Sequence, residues 1–219
     1  MSGPPHRPPP RPSYARALHA YRSGDMEGCL RFLEGLDYER ATILRVRALT
    51  RLGRLDLALR TAVDASMQDA GDLERAQLNT VYAAVAVALR RHDVEAAFED
   101  AERYIHATGA TTLHAELAAV RAVAALEAGD VASAEALARE AAAPGADDGS
   151  SVAHRAHVRA GAHLTLAAVA RRSGDGAGAA AQLREARRAY DAAPEADAWL
   201  TARIDADLAA LARDVPGAL

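Results

Sequence analysis

The sequence predicts an all-α protein, an array of antiparallel helix pairs with about eleven helices. Three observations carry this. No segment shows the period-two alternation of a half-buried strand, whereas apolar residues recur at helical spacing nearly throughout. Half of the residues are hydrophobic but only 4% are aromatic, so the core is made of Ala, Leu and Val, which suits thin, closely packed helices rather than a sheet. A short turn, a glycine followed by aspartate in its clearest copies, also recurs along the chain with small residues at fixed offsets.

Taken in order, residues 1–13 are Pro-rich and carry His6, Arg7 and Arg11. Proline blocks helix there, and a disordered tail is expected. From Tyr14 onward the expected helices are 14–23 and 26–36, then 39–52 and 55–69, then 72–91 and 94–107. They continue with 112–128 and 131–143, then 151–173 and 176–191, and end with 195–213. Gly24-Asp25, Gly53-Arg54, His92-Asp93, Gly129-Asp130 and Gly174-Asp175 form the turns inside the pairs. Glycine takes the positive φ that a helix end asks for, and aspartate caps the helix that follows. Gly71-Asp72, Thr108-Gly109 and Pro194 separate one pair from the next, and residues 143–150 form the longest loop. In the last helix, Trp199, Leu200, Ile204, Leu208 and Leu211 recur at helical spacing, with Arg203, Asp205, Asp207 and Arg213 on the wet face. The helical domain spans 14–213, and residues 214–219 are an expected flexible C-terminus.

With the five turns in register, the fifth residue after each is Cys29, Ala58, Ala97, Ala134 or Ala179, and the ninth is Leu33, Ala62, Ala101, Ala138 or Leu183. Seven residues before the turns stand Ala17, Val46, Val85, Ala122 and Ala167. This pattern resembles the tetratricopeptide repeat, whose helix-turn-helix units run to about 34 residues. Ala122, Gly129-Asp130, Ala134 and Ala141 match its spacing, as do Ala167, Gly174-Asp175, Ala179 and Ala186. The signature Trp and Tyr of the first helix are missing, and the turn-to-turn distances are uneven, so the resemblance is to a divergent member. It implies a right-handed superhelix whose first helices line a concave face, with the final helix capping the open end.

Composition narrows the function. The net charge is −4, which argues against a general nucleic-acid binder. Every basic residue is Arg, a usage that suggests a GC-rich bacterial genome. Cys29 is the only cysteine, so no intramolecular disulfide can form, as suits a reducing compartment. It occupies a small-residue packing position and is expected to be buried. The N-terminus lacks the apolar core of a signal peptide, and the most apolar run, around Val81 to Leu89, is too short to span a bilayer. A cytoplasmic protein is expected. No GxSxG, phosphate loop, HExxH or CxxC is present, so neither an enzyme nor a cofactor is expected.

Two residues before each turn stand Arg22, Arg51, Arg90, Glu127 and Arg172, a position that the resemblance turns into the groove. Arg47, Asn79 and Tyr82 lie nearby. Arginine offers a fixed fork for carboxylate or phosphate, and tyrosine a flat apolar face with a polar tip. The candidate site is therefore Arg22, Arg47, Arg51, Asn79, Tyr82, Arg90 and Arg172. The family's carboxylate clamp uses Lys and Asn at fixed positions; this chain has no Lys and its Asn79 is offset. His154 and His157 lie three apart, a metal-compatible spacing, but Arg155 and Arg159 would repel a cation, and no metal site is expected. The reading is a protein–protein interaction scaffold that binds a peptide or partner protein, acidic in character, along an Arg-lined groove. A homodimer is compatible with it. The alternatives are a ligand-sensing component of a bacterial transcription regulator, or nucleic-acid binding through the same Arg residues.

Overall fold

The structure is a computed structural model that describes residues 12–66, 71–143, 145, 148–193 and 197–214. Among them are eleven helices and no strand. They are α1 (Tyr14–Ser23), α2 (Met26–Leu33), α3 (Glu39–Arg51), α4 (Leu55–Ser66), α5 (Asp72–Ala88), α6 (Val94–Thr108), α7 (Thr111–Ala128), α8 (Val131–Ala142), α9 (Val152–Arg172), α10 (Gly176–Asp191) and α11 (Ala198–Asp214). The expected tail falls mostly on residues 1–11, the end of the fourth expected helix on 67–69 and most of the C-terminus on 215–219; all of these lie outside the described residues.

The turns obey the chemistry expected of them. Gly24, Gly53, Gly129 and Gly174 have φ of 90°, 70°, 87° and 75°. After three of them an aspartate caps the next helix: Asp25 accepts from the Gly28 N–H at 2.8 Å, Asp130 from Ser133 at 3.0 Å and Asp175 from Gly178 at 2.7 Å. The remaining turn, third in chain order, departs from the expected register. Its left-handed residue is Arg90, with φ of 53°, and not His92. The Arg90 and Arg91 N–H groups bond back to Val87 and Ala86 as the N–H groups of Gly24 and Asp25 bond to Tyr21 and Ala20. Two extra residues, His92 and Asp93, then precede α6, so α5 ends at Ala88, short of the expected 91. A side chain in the left-handed region costs about 1 kcal/mol or more. Arg90→Gly is therefore expected to raise stability by about 0.5–1 kcal/mol, and Gly129→Ala to lower it by about 1 kcal/mol, both read by urea denaturation.

The packing has two layers. Helices α1, α3, α5, α7 and α9 touch one another in series, while each even-numbered helix touches only its sequence neighbours. This is the arrangement of a helical repeat. Small residues make the close approaches: Ala58, Ala62, Ala101, Ala122, Ala134, Ala138, Ala179 and Ala186 are fully buried. Cys29 is buried in another cluster, with Ala17, Ala20 and Ala41, and that burial pushes its thiol up to about 11. The final helix does more than cover the last pair. α11 packs on α10 and also reaches α1, so the two ends of the array meet. Trp199 lies against Gly24, where an added Cβ would sit 3.2 Å from Cδ1 of the indole.

Candidate functional site

The inner layer converges on one basin. Its larger compartment, about 470 Å³, takes Tyr14 and Leu18 from α1, Arg40, Ile43 and Arg47 from α3, and Leu73, Gln77 and Val81 from α5. Leu113 and Glu116 of α7, His154 of α9 and the segment Asp148–Ser151 complete it. A smaller compartment of about 220 Å³ adjoins it, sharing Tyr14, Leu18, Arg47, Ser151 and His154 and adding Arg22, His157, Tyr190 and Asp197. The basin thus sits beside the junction where α11 meets α1.

The loop that forms one wall is held by a distant cap. α7 begins after Ala110, which has no side chain to cap it. Asp148 does this across 36 residues: its carboxylate accepts from the Thr112 N–H at 2.6 Å and the Thr112 hydroxyl at 2.9 Å. It also accepts from the Ser150 N–H at 3.0 Å. Desolvation opposes its charge, but these donors outweigh that and hold the carboxyl well below the usual range. A carboxylate on first-turn N–H groups is favoured by both hydrogen bonding and the helix dipole.

Glu116 is the hub of the floor. Arg47 donates to its Oε1 at 2.6 Å and His154 Nε2 donates to its Oε2 at 2.9 Å. Burial works against the Glu116 charge, yet Arg47 and His154 more than offset it, and the carboxyl is held far below its ordinary value. The same exchange raises Arg47: burial disfavours its charge, and Glu116 outweighs burial. Beside this cluster, the Tyr190 hydroxyl lies 2.9 Å from His157 Nδ1. Burial pushes the phenol well above its usual range, with Asp197 adding to the effect. Burial likewise pushes His157 down to about 4, with Arg47 contributing.

His157 carries a pH signature. Unfolded, it takes a proton near pH 6.5; folded, only near 4. Between these values the unfolded chain binds more protons, so stability falls as pH drops through that window. Between pH 7 and pH 5 this amounts to about 2 kcal/mol. His157→Gln should flatten that slope in urea titrations at the two pH values.

Of the seven site residues expected from sequence, Arg22 and Arg47 line the basin. The others lie elsewhere. Arg51 and Arg172, at matching positions of α3 and α9, donate to the backbone oxygens of Tyr21 and Leu126. Each ties the last turn of the preceding inner helix, adding a second donor to a carbonyl that already accepts the N–H of the turn glycine. The recurring Arg is thus explained at two of its positions as a tie between repeats. Arg90 occupies its turn with the side chain 82% exposed, 3.9 Å from Glu127. Tyr82 packs between two core clusters, and Asn79 is half-buried on α5 away from the basin lining. Sequence reading gave no role to Glu116, Asp148, Tyr190 or Asp197. Only their partners, 36 or more residues distant or on another helix, distinguish them from the chain's many surface acids and tyrosines.

No family, curated protein or solved structure matches the chain. No helix among the described residues is long and apolar enough to cross a membrane.

Proposed function

We propose that this chain is a protein–protein interaction scaffold, a divergent tetratricopeptide-like array, that seats a protruding segment of a partner protein in the basin. The observation that carries this reading is the convergence of every inner helix on one concavity. Leu18, Ile43, Leu73, Val81 and Leu113 form its apolar wall beside the polar floor of Arg47, Glu116 and His154. Apolar walls with a few placed polar groups are what a binding site needs, the first for affinity and the second for orientation. A second reading, a ligand-sensing component of a regulator, draws support from the size of the basin. Its larger compartment, about 470 Å³, falls within the range of roughly 300–1,000 Å³ that holds small molecules.

A photo-reactive side chain at Leu73, on the basin rim, tests the scaffold reading against the same group at Leu57 on the outer helix α4; both residues are exposed. A partner should be captured from position 73 and not from 57, and Gln77→Trp, which fills the basin, should abolish capture. Equal capture from both positions, or capture that survives Gln77→Trp, would count against it.

A further inference from the structure

The chain enters the fold at the edge of the basin. Tyr14 is the first residue of α1 and lines both compartments. Ser13 is fixed just ahead of it: its N–H donates to the Phe32 oxygen at 2.9 Å, and its side chain caps α1. Pro12 is exposed, so residues 1–11, outside the described residues, are attached at this edge. Tyr14, Arg40 and Leu73 stand in the first turns of α1, α3 and α5, and those helices open the basin at their N-terminal ends.

The edge has a definite chemistry. Tyr14 and Tyr38 form an aromatic ledge, with centroids 6.1 Å apart and planes at 51°, and Tyr38 is 47% exposed. Flat aromatic faces of this kind hold the rings of an extended, proline-rich segment. Residues 1–12 contain Pro4, Pro5, Pro8, Pro9, Pro10 and Pro12. Beside the ledge the charge is negative: the starts of α3 and α5 carry Asp37, Glu39, Asp72 and Glu74 against Arg40 and Arg75. Glu39 Oε1 is buried with no hydrogen-bond partner among the described residues. Burial, with Glu74 beside it, raises the Glu39 carboxyl above its ordinary value. Residues 1–12 carry His6, Arg7 and Arg11 and no acid.

The polar groups inside the basin select further. Each oxygen of Glu116 and Asp148 already accepts a hydrogen bond. The Tyr14 hydroxyl and the Gln77 amide, by contrast, have no hydrogen-bond partner among the described residues. An occupant with a full set of backbone N–H groups would bury donors with few acceptors to meet them, which is costly. Proline has a carbonyl and no N–H, so a proline-rich run offers acceptors and few donors.

We infer that the chain's own N-terminal segment, residues 1–11, lies across the Tyr14–Tyr38 ledge and into the larger compartment, with Arg7 and Arg11 against the Glu39–Glu74 edge. An extended run of that length reaches roughly 30 Å, enough to cross a compartment of about 470 Å³. The inference rests on the basin being a binding site, and it makes that site self-occupied: a partner segment has to displace the tail.

The full chain, with the photo-reactive side chain at Leu73 or, as control, at Leu57 of α4, is irradiated alone and its tryptic fragments are identified by mass. Position 73 should join the fragment that holds residues 1–11 within one chain, at a yield independent of protein concentration, and position 57 should not. Arg7→Gln with Arg11→Gln should cut that yield about fivefold, the upper worth of exposed ion pairs. Tyr38→Ala should cut it by a similar factor; this side chain makes no capping hydrogen bond, so the fold survives its loss. Gln77→Trp should abolish the joint. If no such fragment joins position 73, if position 57 gives an equal yield, or if neither Tyr38→Ala nor the paired Arg substitution lowers it, the tail does not sit in the basin. A joint between two chains that rises with concentration would show a second copy supplying the segment, and would overturn the intramolecular seat. If a partner is captured from position 73 and the tail never is, the seat falls while the scaffold reading stands. If the tail joins position 73 and its release by the Arg substitutions brings no partner capture, the seat stands and the scaffold reading falls.

Discussion

Replacing Arg51 by Ala is expected to lower stability by about 3–5 kcal/mol and to part the two ends of the array. The side chain joins three elements. Its guanidinium pairs with Asp197 just ahead of α11, donates to the Tyr21 oxygen of α1 at 3.3 Å, and lies between two rings. The Tyr21 centroid is 3.9 Å away and that of Trp199 4.5 Å. Both charged partners are about 10% exposed, so removing one leaves a desolvated charge with no counter-ion, the costly way to break a buried pair. Asp197→Ala should cost a similar amount and also remove the acceptor for the Leu200 N–H. The double variant Arg51→Met with Asp197→Leu leaves no charge behind, so it should cost much less than the two single losses combined. Trp199 is the only tryptophan, so its fluorescence during urea unfolding reports on the junction directly. Hydrogen exchange separates junction from global loss: α1 and α11 should lose protection before α5 and α7. Uniform loss along the whole array would mean that Arg51 stabilises its own helix pair and does not close the ring.

Arg51 also shows how far the sequence could be read. Its recurrence two residues before a turn is plain in the chain, and so are the glycine turns, the buried small residues and the element order. These are local signals, set by backbone conformation and helical spacing. What Arg51 does depends on Asp197, 146 residues away, and no periodicity links them. The same holds for Asp148, which caps a helix begun by Ala110, and for Glu116, one acid among 30 in a chain where most face solvent. Arg90 illustrates the opposite failure. Aligning His92 with the glycines keeps Ala97 and Ala101 in register on the α6 side, and both are buried. On the α5 side the turn lies two residues earlier, and Val85 and Ala83 are both buried there. In a helix buried on so much of its surface, apolar residues satisfy either register, so the pattern cannot locate its own insertion.

The pairing at Glu116 is the second place where one side chain holds several elements. It draws Arg47 of α3 and His154 of α9 onto α7, so it spans the basin from wall to wall. Glu116→Ala should cost about 3–5 kcal/mol, because Arg47 would keep its charge in a largely desolvated place with no partner. Glu116→Gln keeps the shape and one acceptor and should cost less, but it removes the carboxylate that balances Arg47. The pH dependence separates the two effects. The folded Glu116 carboxyl titrates far below its unfolded value of about 4.3. Its contribution is therefore fully present above that value and is lost as pH falls from there through the folded one. Wild-type protein should accordingly lose stability below about pH 4.3 with a steeper slope than Glu116→Gln, while the loss from His157 protonation at higher pH stays in both. Urea midpoints at pH 7, 5 and 3.5 resolve the two steps. A Glu116→Ala protein within about 1 kcal/mol of wild type at pH 7 would show that water satisfies Arg47 in its place, and that the basin floor is wet.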